Sequence, residues 1–244
     1  MIASSAIGDL PLFAGLNEVE KKLLIAGGRV RRCAKGKYLF LHGAPVTHFY
    51  LLTSGIVKLF RENAEGEEKT IDILKSGQTL CENEIMDSCR NHRSSAMAVE
   101  DAELLEFSVL WLKESAKRYS AFALNLLSLL SEQVHLAQLE AEHRASMSAA
   151  QLVGCFLQRL CVLHDLNPKG FDLPYGKALI ASRLGMEVET FSRALSKLKN
   201  QGIMVNGTHV AFTDLKQIEN FVCSQCSVSE ECPTHQRLEK KAGV

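Results

Sequence analysis

From about Val30 to Leu110 the apolar positions come in short runs: Tyr38-Leu39-Phe40-Leu41, Phe49-Tyr50-Leu51-Leu52, Ile56-Val57-Lys58-Leu59-Phe60 and Thr70-Ile71-Asp72-Ile73-Leu74. Glycine-bearing turns at Gly36, Gly43, Gly55, Gly66 and Gly77 separate them, and short strands at this spacing predict an antiparallel β-barrel or sandwich. Ahead of them, Asn17-Glu18-Val19-Glu20 has the residue types of a capping box and leads into Leu23, Leu24 and Ile25, predicting a short helix. From Trp111 the period changes to helical. Ser120 to His143 holds neither Gly nor Pro, and Leu127, Leu130, Val134, Ala137 and Ala141 recur at heptad spacing, the seam of a two-helix contact between subunits. A second row, Leu126, Leu129, Leu136 and Leu139, is expected to face the strands. The pattern breaks at Arg144 to Ser148, a hinge, before another helix from about Ala149 to His164, ended by Asn167-Pro168-Lys169-Gly170.

The stretch from Lys177 to Asn200 reads as two helices around a tight turn. Ala181 permits close approach, Gly185 makes the turn, and Phe191, Leu195 and Leu198 form the inner face of the second helix. Glu189, Ser192, Arg193 and Ser196 fall on the opposite face, short and polar as a helix entering the major groove requires. Arg193 suits a bidentate contact to guanine, Glu189 an acceptor for cytosine N4, and Ser192 a base or phosphate; Lys197 and Lys199 suit the backbone. Asn206-Gly207, between the apolar runs Ile203–Val205 and Val210–Phe212, predicts a hairpin that serves as a wing.

Formal net charge is zero with a pI near 7.1, so any nucleic-acid affinity must be local to this segment. The N-terminus has no leader pattern and no apolar run reaches membrane length, so the expected setting is the cytoplasm without a membrane partner. Thiols stay reduced there, and clustered cysteines point to metal or redox chemistry. Three of the eight cysteines, Cys223, Cys226 and Cys232, stand at C-x₂-C-x₅-C spacing near the C-terminus. Three such thiolates suit an iron–sulfur cluster, which usually takes four. Zinc would take the same three with His235, and a reversible disulfide or unliganded thiols complete the alternatives. Cys33, Cys81, Cys89, Cys155 and Cys161 show no pair spacing, and most of them default to buried small hydrophobes. The dithiol spacing at Cys223 and Cys226 also occurs in disulfide oxidoreductases, but the βαβ context is missing. No P-loop, G-x-S-x-G or H-E-x-x-H is present, so no enzyme is expected.

The order of elements, the glycine-punctuated stretch from Gly43 to Gln78 and the reading head Glu189-Thr190-Phe191-Ser192-Arg193 together resemble the Crp–Fnr regulators over nearly the whole chain. The resemblance implies an α+β fold: an N-terminal antiparallel β-roll of the cyclic-nucleotide-binding type, a long dimerisation helix and a C-terminal winged helix-turn-helix. Expected boundaries are 1–119 for the roll, 120–147 for the dimerisation helix, 148–220 for the winged helix and 221–244 for a cysteine-rich tail. The E-x-x-S-R head is similar to that of the Fnr branch. It implies a homodimer on double-stranded DNA at an inverted repeat of TTGAT-type half-sites, with RNA polymerase as a further partner. The effector pocket by this resemblance includes Glu82, His92 and Arg93. Cys81 stands where cyclic-AMP receptors have glycine and Arg93-Ser94 comes one position late, which argues against cyclic AMP. The wording Cys223-Ser224-Gln225-Cys226 through Cys232 resembles the [4Fe–4S] motif of Fnr regulators, in the C-terminal placement some of them use. Their fourth ligand is a carboxylate of the dimer helix, making Glu140 and Glu142 candidates here, beside His143 and Cys155. Oxygen, nitric oxide or redox state is then the expected signal. Parts of the chain also resemble a haem-associated, nitric-oxide-responsive branch, with His42, His48, His92, His135 and His143 available; haem ranks below the cluster.

Overall fold

The computed structural model describes residues 7–85, 90–164, 166–167, 169–224, 226, 232 and 234–236; Cys89 and most residues between the tail cysteines lie outside these. The chain divides into two compact units, Met1–His135 and Leu136–Val244.

In the first unit, helix α1 (Glu18–Ala26) starts at a complete capping box: Asn17 accepts from the Val19 and Glu20 amides, and Glu20 accepts from the Asn17 amide at 3.0 Å. Its anchor is Leu24; Leu23 faces outward. Eight strands follow: β1 (Arg29–Cys33), β2 (Tyr38–Phe40), β3 (His48–Ser54), β4 (Ile56–Glu62), β5 (Glu68–Lys75), β6 (Thr79–Leu80), β7 (Ser95–Ala98) and β8 (Ala102–Ser108). A four-residue helix α2 (Glu82–Ile85) interrupts them after β6. They pair as two antiparallel sheets, β1-β8-β3-β6 and β2-β7-β4-β5. Phe49, Leu51, Leu104 and Phe107 of the first sheet and Leu39, Val57 and Ala96 of the second share one core.

Strand β1 has no apolar alternation because it is held by charge. Arg29 donates to the buried Glu106 at 2.8 Å and Arg32 to Glu103 at 3.1 Å, both carboxylates lying across the register on β8. Burial alone would raise the Glu106 carboxyl; the bonds from Arg29 and Arg31 outweigh that and hold it below its ordinary value.

Helix α3 (Val109–Arg118), capped by Ser108, leads to α4 (Ser120–Ser146), the long helix expected from the seam. Phe122 and Leu126 enter the core of the roll and Leu129 packs beside it. Leu127 and Val134 of the seam are 62% and 58% exposed, Ala137 and Ala141 are exposed, and Leu130 is half-buried. The second row follows expectation only at its start, for Leu136 is exposed. No described helix is long and apolar enough to cross a membrane.

The second unit begins in α4 and continues through α5 (Ala149–Leu163), strand β9 (Phe171–Asp172), α6 (Lys177–Arg183), α7 (Val188–Lys199), strands β10 (Ile203–Asn206) and β11 (His209–Phe212), and α8 (Leu215–Cys223). The break before α5 is short: α4 runs to Ser146, and Ser148 caps α5 in a second capping box with Gln151. The core comes from Val153 and Leu157 of α5, Phe191, Ala194 and Leu198 of α7, and Ile218 and Val222 of α8. Helix α8 crosses the expected boundary at residue 220, so the start of the tail belongs to the winged-helix core.

Candidate functional site

Helices α6 and α7 pack through the fully buried Ile180, Ala181 and Phe191, and Gly185 makes the turn at φ +70°. The inner face of α7 is Phe191, Ala194 and Leu198; Leu195, expected there, is half-buried. Glu189, Ser192, Arg193, Ser196, Lys197 and Lys199 are all exposed. Arg193 donates to Thr190 Oγ1 at 3.2 Å and Ser196 Oγ to the Ser192 carbonyl at 3.1 Å. Among the described residues no side chain caps the N-terminus of α7, which leaves its first amides for a phosphate.

The hairpin turns one residue later than the dipeptide suggests. Asn206 still pairs with His209, and Gly207 takes the positive φ at the first loop position. Strand β9, not foreseen, adds a third strand through Phe171 and Val210. A groove of about 280 Å³ runs between α7 and the wing, lined by Lys177, Ser192, Ser196, Lys199 and Asn206 among others.

In the same unit, α5 and α8 bring thiols together. A Cβ at Gly154 would lie 2.6 Å from Val222 Cγ2, so the absent side chain allows α8 to lie against α5. Gln151 then fixes the end of α8, donating to the Phe221 carbonyl at 3.2 Å and the Ser224 hydroxyl at 3.1 Å. The chain turns there, with the Cys226 amide donating to the Cys223 carbonyl at 3.0 Å. Cys155 on α5 and Cys223 at the end of α8 are within electrostatic reach of each other, and each is within reach of Cys226 and Cys232. Burial pushes the Cys155 thiol up to about 11, with Arg159 opposing and the tail thiols adding. Burial likewise takes Cys223 up to about 12, reinforced by Cys155, Cys226 and Cys232. Thiols so placed stay protonated unless a metal replaces the protons.

The remaining candidates separate clearly. Cys226 Sγ lies 3.5 Å from Nε2 of His143, a buried residue near the end of α4. Burial first, and Arg159 second, lower the His143 ring below its ordinary value, leaving it neutral at pH 7. Glu140 is taken by Arg183 of α6, which donates to its two oxygens at 3.0 and 2.6 Å. Burial would raise that carboxyl, but the guanidinium outweighs it and the net direction is down. Glu142 is half-buried beside His143 without a contact to a thiol among those described. His235 Nδ1 lies 2.8 Å from Glu219 Oε1 on α8. Among the described residues, three donors within 4.8 Å of one another occur only at Cys81, Glu84 and His92. No three of the tail donors His235, Cys155, Cys223, Cys226 and Cys232 meet that spacing.

Sequence reasoning missed Gly154, Gln151, Arg159 and Arg183; their signals are close packing and pairing across distant positions, which no local spacing carries. In the roll, Glu82 is buried and hydrogen-bonded by Gln133 of α4, with burial raising its carboxyl. His92 is buried, stacked on Phe40 with ring centroids 3.7 Å apart, whereas Arg93 is exposed. The nearby cleft, about 200 Å³ and lined by Val46, Glu84, Ile85, Arg90, Val109 and Lys113, is smaller than ordinary small-molecule pockets.

Two family descriptions match the chain: "Cyclic nucleotide-binding domain" over residues 30–117 and "Crp-like helix-turn-helix domain" over residues 153–221. The chain is 31% identical to the cyclic AMP receptor protein of Thermus thermophilus, covering 80% of this chain and 88% of that protein. It is 25% identical to the anaerobic regulatory protein of Pasteurella multocida, covering 77% and 69%. FixK2 of Bradyrhizobium japonicum has the same fold, with a TM-score of 0.69 at 20% identity over 79% of this chain and 96% of that one. Cys223, Cys226 and Cys232 lie beyond both matched segments.

Proposed function

We propose that this chain, which belongs to the Crp–Fnr family of DNA-binding transcriptional regulators, reads an inverted TTGAT-type repeat as a homodimer under the control of an iron–sulfur cluster. The chain's ligands for the cluster would be Cys155, Cys223, Cys226 and Cys232. The observation that supports the second half is the convergence of these thiols from α5, the end of α8 and the tail, with Cys155, Cys226 and Cys232 each influencing Cys223 electrostatically. When bound, such a cluster supplies a centre that oxygen or nitric oxide dismantles.

The chain's own residues connect that site to the reading head. Arg183, on the first helix of the helix-turn-helix, is paired with Glu140 on α4, and Arg144 donates to its backbone carbonyl at 3.3 Å. His143, one turn of α4 away, faces Cys226. A tail held at Cys226 and a reading head held at Glu140 therefore share one stretch of α4. Release of the tail shifts the population toward a form with weaker DNA affinity. The exposed seam residues Leu127, Val134, Ala137 and Ala141, with the half-buried Leu130, support pairing with α4 of a second copy. Each copy then presents Glu189, Ser192 and Arg193 to one half-site, about one helical turn apart. Lys197, Lys199 and the α7 amides hold phosphates, and RNA polymerase is the partner at promoters in the cytoplasm.

Anaerobic purification with iron and sulfide analysis tests the reading. The expected result is about four irons per chain and a broad absorbance near 400 nm, with iron strongly reduced in Cys155→Ser. A colourless anaerobic protein, or full iron in Cys155→Ser, would overturn the assignment.

A further inference from the structure

Away from the tail, the roll contains a second set of donors. Cys81 follows β6, Glu84 lies on α2, and His92 lies on the segment before β7; all three are buried. Cys81 Sγ is 3.7 Å from His92 Nδ1, and that nitrogen is 2.7 Å from Glu84 Oε2. We propose that Cys81, Glu84 and His92 bind one divalent ion of the borderline class, with zinc as the reference member. This goes beyond the reading of the tail and does not depend on it.

The geometry fits such an ion closely. Tetrahedral zinc with the usual bond lengths puts sulfur and nitrogen about 3.6 Å apart and nitrogen and oxygen about 3.4 Å apart. The first separation already matches, and the second needs the Glu84 oxygen to withdraw by roughly 0.7 Å, breaking its bond to the ring. The donor set excludes calcium and magnesium, which take oxygen ligands, since a thiolate and an imidazole are two of the three. Charge also matches the burial. A dication with one thiolate, one carboxylate and one neutral imidazole is neutral overall, the condition under which a buried ionic group costs least. On binding, the Cys81 proton leaves to solvent; the His92 proton moves to, or stays on, Nε2, freeing Nδ1.

The donors are also held in place from outside. His92 is clamped between strand-like partners, its amide donating to the Ala44 carbonyl and its carbonyl accepting from the Gly43 amide, both at 2.8 Å. The stack on Phe40 sets the ring plane. Glu84 keeps its second oxygen on the Arg93 amide at 2.8 Å. Cys81 sits at φ +74°, a left-handed backbone that a non-glycine residue rarely takes, and this turns its sulfur toward the ring. Such supporting contacts are what orient metal ligands. Glu84 also lines the 200 Å³ cleft, which gives an ion a route in and leaves room for water as fourth ligand. Adjacent to Cys81, Glu82 is bonded to Gln133 of α4, so the ion would act beside a contact to the long helix.

Cobalt(II) titration of the full chain tests this, using protein in which Cys223, Cys226 and Cys232 are all replaced by Ser so that the tail adds no signal. The expected result is one cobalt per chain with a near-ultraviolet thiolate-to-cobalt band, displaced by zinc. Adding Cys81→Ser should abolish the band, and Glu84→Gln, which keeps size and burial, should weaken binding at least tenfold. Circular dichroism of each variant separates loss of ligand from loss of fold. No stoichiometric cobalt in the tail-substituted protein, or binding unchanged in folded Cys81→Ser and Glu84→Gln, would overturn the proposal.

Discussion

Substituting Gly154 by Ala tests whether α5 and α8 assemble the thiol site as described. Two effects oppose each other. Alanine in a helix interior is favoured over glycine by up to about 1 kcal/mol. Against that, the new methyl would stand 2.6 Å from Val222 Cγ2 and 3.2 Å from Leu198 Cδ2, where ordinary contacts begin at 3.4 Å. Both neighbours are fully buried, and Val222 is β-branched with little rotamer freedom. Overpacking of this kind costs about 1–3 kcal/mol, so the net expectation is a loss of about 1 kcal/mol. For a unit of this size that lowers the urea midpoint by roughly half a molar. Relief comes most cheaply by moving α8 outward, which carries Cys223 away from Cys155. Anaerobically purified Gly154→Ala should therefore combine a modest drop in midpoint with a pronounced loss of iron per chain. A midpoint that rises, with iron unchanged, would show that the helices are not in contact there.

Arg193→Ala should weaken binding to the repeat by about 1–3 kcal/mol and relax preference at one base position, whereas Lys199→Ala should weaken all sequences alike and reduce the salt slope by about one; fluorescence anisotropy across salt concentrations distinguishes them. Leu127→Glu with Val134→Glu should leave monomers in sedimentation, since each apolar side chain contributes about 1.5–3 kcal/mol when buried and symmetry doubles the loss; a dimer that persists would place the interface elsewhere. The Glu140–Arg183 pair should be pH-dependent. Because the folded carboxyl is held below 4.5, its contribution is complete above that value and is lost as pH falls through the lowered one. The stability gap between the native chain and Glu140→Gln should shrink from neutral pH to below 4.5, and a constant gap would contradict the pairing.

What was legible in the sequence was mostly local. The Asn17 box, the strand runs of the roll, the α6–α7 turn at Gly185 and the exposed face of α7 all follow from spacings of a few residues, and each is present. Strand β1 was not legible because its alternation is ionic: Arg29 and Arg31 replace the apolar face by pairing with Glu106. Strand β9 is two residues long and exists only through β11. Cys155 had no spacing to connect it with the tail, since the connection is a missing Cβ at Gly154. Glu140 had the right location for a ligand, but Arg183, 43 positions away, engages it. The same holds in the roll, where the sequence around Cys81 suggests a buried small hydrophobe and only the fold brings Glu84 and His92 beside it.

The most direct measurement compares binding of one inverted TTGAT repeat by the same protein before and after exposure to air, with Cys155→Ser alongside. The account predicts tight anaerobic binding that falls at least tenfold as the colour bleaches, and a variant that binds weakly in both conditions. Equal affinity with and without air, or a Cys155→Ser protein that behaves like the native chain, would contradict it.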